Sequence, residues 1–419
     1  MSEGGPLSRP GHMHQLYFSH DCQQERTVLK HVSNRAFSRR AILALAFSGL
    51  GLGLLAGCGG DRDLVNPGAS WPPAPTVTAH RGASAVRPEH TLEAYRKAIE
   101  DGADVIEPDL VVTKDGVLVA RHENEISGTT NVADRPEFAA RRTVKTIDGI
   151  PVSGWFTEDF TLAELKTLRA RERIPANRPA NVAYNDQFQI PTLQEVIELV
   201  QAESRARGKV IGLYPETKHP SYFKAIGLPL ERRLVDQLAA AGYRGRDAAV
   251  FIQSFEVANL KELRGMTAIR LVQLIDNPAN PPAANGTPRN APYDFVLAQN
   301  GRTYADLVTA NGLKEVATYA DVVSPYKDVI IPRNAANNLG APTAFVANAR
   351  AAGLAVHTWT LRPENPFLPA NLRAAPLDSP SQRGNSAAEI RAFLDAGIDG
   401  FFTDDPAVGR AAVDGTVKK

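Results

Sequence analysis

The chain has 419 residues, with 47 basic against 46 acidic side chains, 43% hydrophobic residues, 22% charged residues and two cysteines. The near-neutral balance argues against a nucleic-acid binder, and the apolar fraction is too high for a disordered chain. Two cysteines can build neither a disulfide framework nor a four-cysteine zinc site.

The first feature along the chain is the uncharged apolar run from Ala41 to Gly57, preceded by Arg39 and Arg40. It is at the short limit for a membrane span and ends in small residues, which predicts a secretory signal over residues 1–57. Ser38-Arg39-Arg40 resembles a twin-arginine export motif, with Ile42 where Phe is more usual. Leu55-Ala56-Gly57-Cys58 resembles a bacterial lipoprotein box. It implies lipidation of Cys58 and an exported, membrane-anchored chain, periplasmic or at the cell surface. Each buried acyl methylene would add about 0.8 kcal/mol of membrane affinity. Residues 58–75 contain the Pro- and Gly-rich LVNPGASWPPAP and read as a tether.

From Thr76 onward, short apolar runs alternate with helical periodicity. Val77-Thr78-Ala79-His80 is a predicted strand. Pro88 to Asp101 is a predicted helix, with Leu92, Tyr95 and Ile99 on one face. A strand from Val105 to Val112 turns back at Asp115-Gly116 into Val117–Ala120. Residues 124–190 lack periodicity and read as an insertion on the second unit. A helix is predicted from Thr192 and a strand over Lys209–Tyr214, with a further helix around Leu230–Ala241. Further strands are predicted at Val250–Ile252, Ile269–Leu274, Asp321–Ser324, Leu354–Trp359 and Gly400–Phe402. Such alternation predicts a (β/α)8 barrel over residues 76–412. An open doubly wound sheet is the alternative, but the glycine-rich fingerprint it would often carry after its first strand is absent. Residues 276–298 and 363–384 are Pro-rich and read as long loops.

Barrel enzymes carry their chemistry at the carboxyl ends of the strands. Glu107 and Asp109 are two apart on one strand and point to the same side. Glu216 comes from the neighbouring strand, and three buried carboxylates together favour a divalent cation of the oxygen-loving class, calcium or magnesium. His80 and His122 end apolar runs beside this cluster and suit a general acid–base pair. Arg81 offers a fork for phosphate and Lys218 a point charge, although salt bridges to the carboxylates would use them equally well. His90 and His219 read as structural. His357 and Trp359 are candidates for the pocket wall or for barrel packing.

These residues fall into a recognisable pattern. His80-Arg81-Gly82-Ala83-Ser84, Pro88-Glu89-His90-Thr91-Leu92, Glu107-Pro108-Asp109, His122-Glu123-Asn124, Pro215-Glu216-Thr217-Lys218, Gln253-Ser254-Phe255, His357-Thr358-Trp359 and Thr403-Asp404 occur in that order. Together they resemble the glycerophosphodiester phosphodiesterases, in particular their long periplasmic branch. The resemblance implies a TIM barrel and hydrolysis of glycerophosphodiesters to glycerol 3-phosphate and an alcohol. It implies metal ligands Glu107, Asp109 and Glu216, with calcium ahead of magnesium. His80 and His122 would be catalytic, and Arg81, Lys218, Phe255 and Trp359 would contact substrate. Glu123 replaces the Asp often found beside the second histidine. Two other readings fit the sequence: a lysophospholipase D-type enzyme acting on lipid head groups, and a surface lipoprotein that binds a solute without catalysis. The partners expected are thus a small phosphodiester and, through Cys58, a membrane, with no nucleic acid.

Overall fold

The computed structural model describes residues 63–68 and 71–416. The signal expected over 1–57 and the lipidation expected at Cys58 lie outside the described residues. Among the described residues no helix is long and apolar enough to cross a membrane.

Thirteen strands are present among the described residues: β1 (Thr76–Ala79), β2 (Val105–Ile106), β3 (Asp109–Val112), β4 (Leu118–Ala120), β5 (Thr143–Ile147), β6 (Ile150–Gly154), β7 (Gly212–Leu213), β8 (Glu216–Thr217), β9 (Phe251–Ser254), β10 (Arg270–Ile275), β11 (Val322–Pro325), β12 (Ala355–Leu361) and β13 (Gly400–Thr403). β2 and β3 are two halves of one stave, interrupted at Glu107-Pro108, and β7 and β8 are likewise interrupted at Tyr214-Pro215. Proline has no amide hydrogen for the ladder, so each interruption falls where the sequence removes a donor. Counted this way there are eight staves, all parallel to their neighbours. The circle closes where β13 pairs with β1, Thr76 opposite Gly400 and Ala79 opposite Thr403. The fold is a (β/α)8 barrel. β4 runs antiparallel beside β3, as the Asp115-Gly116 turn predicts.

Most staves are buried throughout, which is why they read as continuous apolar runs and not as alternating ones. Helices cover the outside. The helix Leu193–Arg207 is set by a capping box: Thr192 Oγ1 accepts from the Glu195 amide, and Glu195 reaches back to Thr192. It stops at Gly208, whose φ of 57° is left-handed. The helix predicted over Pro88–Asp101 is shorter, Leu92–Glu100, because Thr91 is its cap and His90 lies at φ 53°.

Aromatic side chains fill the barrel. Tyr214 stacks on Phe251 at 4.8 Å and meets Phe402 edge-on at 4.8 Å, and its hydroxyl lies 2.9 Å from His357 Nδ1. His357 is therefore a packing residue of the barrel interior and does not line the site. The amino-terminal floor is closed by part of the segment read as a tether. Trp71 is buried, lies 5.0 Å from the Phe251 ring, and its carbonyl accepts from Arg270. Gly212 leaves the space: a Cβ there would come within 2.5 Å of the Trp71 ring. Val65 also joins the floor, accepting from the Ala249 amide.

Residues 121–191, between β4 and the Thr192 cap, hold the β5–β6 hairpin, a short helix Leu162–Leu165 and several 3-10 turns. Asp148 and Gly149 form the hairpin turn with φ 47° and 78°. Phe138, Trp155 and Phe160 are buried and join this segment to the barrel's hydrophobic core.

Candidate active site

β1 delivers His80 and Arg81 to the carboxyl end of the barrel. Arg81 sits at φ 61°, and Gly82 follows at φ 90° with its α-carbon so close to the next helix that a Cβ would meet Ala94 at 2.8 Å. A left-handed arginine is uncommon and is held here by its contacts. Its amide donates to Glu107 Oε2 at 3.0 Å, and its guanidinium faces Glu89 at 3.3 Å and Asp109 at 3.6 Å.

The interrupted staves bring the three carboxylates together. Asp109 and Glu216 are register partners across β3 and β8. Glu107, Asp109 and Glu216 are all buried, and each places an oxygen within 4.8 Å of the others. Among the described residues this is the one cluster with a metal-binding arrangement. Its electrostatics fit a cation. Burial, then repulsion from Asp109 and Glu216, pushes Glu107 well above the carboxylate range. Burial and its acidic neighbour Asp109 push Glu216 up to about 7, although Lys218 opposes this. Asp109 stays well below its usual value: burial alone would raise it, but His90, His122 and Arg81 outweigh that. Asp109 Oδ1 is buried with no hydrogen-bond partner, while Oδ2 takes His90 Nε2 at 3.0 Å. An oxygen-only set with an orphaned carboxylate oxygen suits a hard divalent ion.

The two histidines flank the cluster. His80 Nδ1 lies 2.5 Å from Asp404 Oδ1, at the end of the last stave, and its Nε2 lies 3.5 Å from Thr360. Burial, reinforced by Arg81 and opposed by Asp404, brings His80 down to about 4. His122 Nδ1 is 2.7 Å from Glu123, and its Nε2 is 3.4 Å from Lys218 Nζ. Burial and the cations Arg81 and Lys218 hold His122 well below the usual imidazole range.

His80, Arg81, Glu107, Asp109, His122, Glu216, Phe255 and Trp359 line one cavity of about 50 Å³. Lys218 lies beside it, 3.1 Å from Glu216 and 5.8 Å from the Phe255 ring. The residues expected to be catalytic, to contact substrate or to hold the metal are therefore in or against one pocket, whereas His357, a candidate for its wall, is not. His90 is packed against Asp109, as a structural histidine would be, and His219 bridges Glu123 and Asp148 at 3.0 and 2.6 Å.

Sequence reasoning left out a second tier. Arg178, from the aperiodic segment, pairs with Asp404 and Glu364 and donates to the Ser84 carbonyl. Arg362 lies 3.2 Å from Asp404. Arg173 pairs with Glu89 and comes within 3.5 Å of His122. Gln253 donates to Glu107 at 2.7 Å. The Gln253-Ser254 motif was the one sequence signal for this tier. Arg173 and Arg178 lie in a stretch with no periodicity, and Arg362 directly follows β12 just ahead of a Pro-rich loop, so none carried a signal.

With this geometry in view, comparison with known proteins is decisive. Residues 80–408 match the model of the glycerophosphoryl diester phosphodiesterase family. The chain belongs to this family. A glycerophosphodiester phosphodiesterase of Arabidopsis thaliana is 35% identical over 343 residues, 79% of this chain and 83% of the relative. A glycerophosphodiester phosphodiesterase of Haemophilus influenzae is 31% identical over 297 residues, 67% of this chain and 76% of the relative. A Silicibacter pomeroyi crystal structure carrying the same family name is similar in fold, with TM-score 0.55 at 20% identity, covering 85% of this chain and 97% of that one. By family the chain is a phosphodiesterase, and the family likeness read from the motifs is borne out.

Proposed function

We propose that this phosphodiesterase hydrolyses glycerophosphodiesters to glycerol 3-phosphate and the free alcohol, with His80 and His122 moving the protons beside a divalent cation. The observation that carries this reading is the pocket in which two imidazoles flank three buried carboxylates. Glu107, Asp109 and Glu216 would hold the ion, calcium in preference to magnesium, since magnesium dehydrates reluctantly and demands a stricter octahedron. When bound, such an ion supplies Lewis-acid polarisation of a phosphoryl oxygen.

The chain's own residues do the rest. Arg81 and Lys218 present positive charge where the non-bridging oxygens gain charge. His80, with Nδ1 committed to Asp404, has only the neutral Thr360 hydroxyl at Nε2, which leaves that nitrogen to handle a proton. His122, with Nδ1 on Glu123, has Nε2 beside the Lys218 ammonium at 3.4 Å, so Lys218 must turn to the phosphate for Nε2 to handle a proton. One takes the proton of the attacking hydroxyl, from water or from the glycerol 2-position. The other gives a proton to the departing alcohol oxygen. An anionic diester between the rings raises both affinities for a proton, which favours the protonated ring that serves as the acid. Phe255 and Trp359, 5.7 Å apart and edge to face, form an apolar wall for the substrate carbon chain.

Export and lipidation of Cys58 would place the enzyme on a membrane surface, tested by labelling the chain with a radioactive fatty acid and comparing Cys58→Ala. The catalytic reading is tested by incubating the calcium-loaded protein with several glycerophosphodiesters and with lysophosphatidylcholine. Release of glycerol 3-phosphate from the former is expected. Turnover of lysophosphatidylcholine alone would assign the lipid-directed reading, and no turnover of any diester would leave a binding protein.

A further inference from the structure

The two histidines of the pocket are held from behind in different ways. His80 Nδ1 lies against Asp404, which is buried and braced by Arg178 and Arg362. His122 Nδ1 lies 2.7 Å from Glu123, whose side chain is 42% exposed. A carboxylate open to water fixes a ring poorly, because ordering its flexible stem costs rotamer freedom and water competes for its oxygens. Nδ1 also has a rival neighbour. Arg173, which can only donate, comes within 3.5 Å of it. With Arg173 as partner Nδ1 would have to accept, and the proton of the ring would move to Nε2.

We propose that His219 and Asp148 are positioning residues for His122: the His219 imidazolium, held by Asp148, fixes the Glu123 carboxylate and so keeps the His122 proton on Nδ1 and its Nε2 toward the substrate. The inference rests on the reading in which His122 moves a proton, and it adds the residues that orient that ring.

Hydrogen-bond geometry is the first argument. Glu123 Oε1 is the oxygen beside His122, and Oε2 accepts from His219 Nε2 at 3.0 Å. One carboxylate thus spans two histidines, a reach that the one-methylene-shorter aspartate lacks at these distances. On its other side His219 Nδ1 donates to Asp148 Oδ2 at 2.6 Å. A neutral imidazole has one N–H, so a carboxylate at each nitrogen requires both to be protonated. Burial opposes that charge, but Asp148 and Glu123 outweigh it and raise His219 to about 10.

The backbone is the second argument. His219 and Asp148 both sit at φ 47°, in the left-handed region that residues other than glycine seldom occupy. Such a conformation persists where surrounding contacts over-determine it. His219 caps the helix Pro220–Ala225, and Asp148 belongs to the β5–β6 turn. Beside it the Gly149 carbonyl accepts from Asn285 at 2.8 Å and from Thr287 at 3.0 Å. The contacts therefore run unbroken from the 276–298 loop through the hairpin turn to His122.

The test compares two variants of the calcium-loaded full chain with glycerophosphocholine as substrate. His219→Asn suits the left-handed backbone and keeps an amide near the position of Nδ1, toward Asp148, but stops short of Glu123. His219→Gln reaches Glu123 with its amide and gives up Asp148. If His219 only supported the fold, Asn would be the milder change. His219→Asn should lower kcat of the folded chain by about tenfold or more with KM held within about threefold, the scale for a partner that orients an active-site histidine. His219→Gln should keep kcat within about threefold of native. In a His122→Ala background His219→Asn should lower kcat by no more than about twofold, because its effect passes through the missing ring. Equal kcat in the Asn and Gln variants, or losses that multiply in the double variant, would overturn the proposal. If the variants do not fold, nitrogen NMR of the histidine-labelled native chain decides: His219 should carry N–H at both nitrogens near neutral pH, and His122 at Nδ1. A His122 proton on Nε2 alone, or a singly protonated His219, would also overturn it. If no diester is turned over, the phosphodiesterase reading fails separately, and the same spectra still decide the positioning.

Discussion

His80 illustrates how one residue is prepared at this site. Asp404 fixes its tautomer through Nδ1, and Arg178 and Arg362 hold Asp404 from the other side. Replacing His80 or His122 by Ala should lower kcat by about 10²–10⁴-fold, the usual range for a general acid or base. A variant that keeps near-full kcat would take that histidine out of the mechanism. Asp404 acts through His80 and is a positioning residue. Asp404→Asn should leave calcium binding intact, lower kcat by about tenfold or more, and shift the pH–rate profile, because an amide can stabilise the wrong tautomer. A drop in kcat with an unmoved profile would reduce Asp404 to a structural support. The motifs made His80, His122 and the three carboxylates legible, because strand ends carry short polar signatures. Asp404 was visible as a motif residue at a strand end but not as a partner of His80, and Arg178 is joined to it across 226 residues by tertiary structure alone.

At the scale of elements, the staves broken at Pro108 and Pro215 and the barrel floor depart from simple periodicity. Val105 to Val112 reads as one strand; proline's missing amide splits it where Glu107 and Asp109 turn toward the pocket. Composition marks residues 58–75 as a linker, yet Trp71 is a core residue, because one buried indole outweighs the prolines around it. Trp71→Ala should cost about 3–5 kcal/mol in chemical denaturation while kcat of the folded fraction holds. A neutral effect on stability would show the floor to be dispensable. The hairpin is tied to the site by His219, which Asp148 and Glu123 raise to about 10 against the lowering effect of burial. A histidine raised on folding stabilises fully below its unfolded value of 6.5 and loses that contribution as pH climbs through about 10. His219→Gln should therefore destabilise the chain near neutral pH and have little effect above about pH 10. An equal deficit at both ends of that range would show that the ion pairs contribute nothing. The hairpin itself was hidden in sequence because its covered face is only Ile147, Ile150 and Val152, too short a run of alternation to stand out, and Val144 is exposed.

For the whole molecule, parallel strands covered by helices left the clearest trace. Each stave had to be apolar on both faces, and each helix on one, so the barrel could be read from strand–helix alternation between Thr76 and Thr403. The segment between β4 and Thr192 had no such constraint. Its buried aromatic residues and its arginines are specified by contacts with the barrel mouth, which no local period records. The central claim is that Glu107, Asp109 and Glu216 jointly hold one cation that the two histidines work beside. Equilibrium dialysis of calcium, paired with activity in excess chelator, measures it directly. The native chain should bind one ion in the pocket and lose activity on chelation, with calcium restoring it, and Glu216→Gln should lose most of that binding while remaining folded. Full turnover in excess chelator, or undiminished calcium binding by Glu216→Gln, would contradict the account.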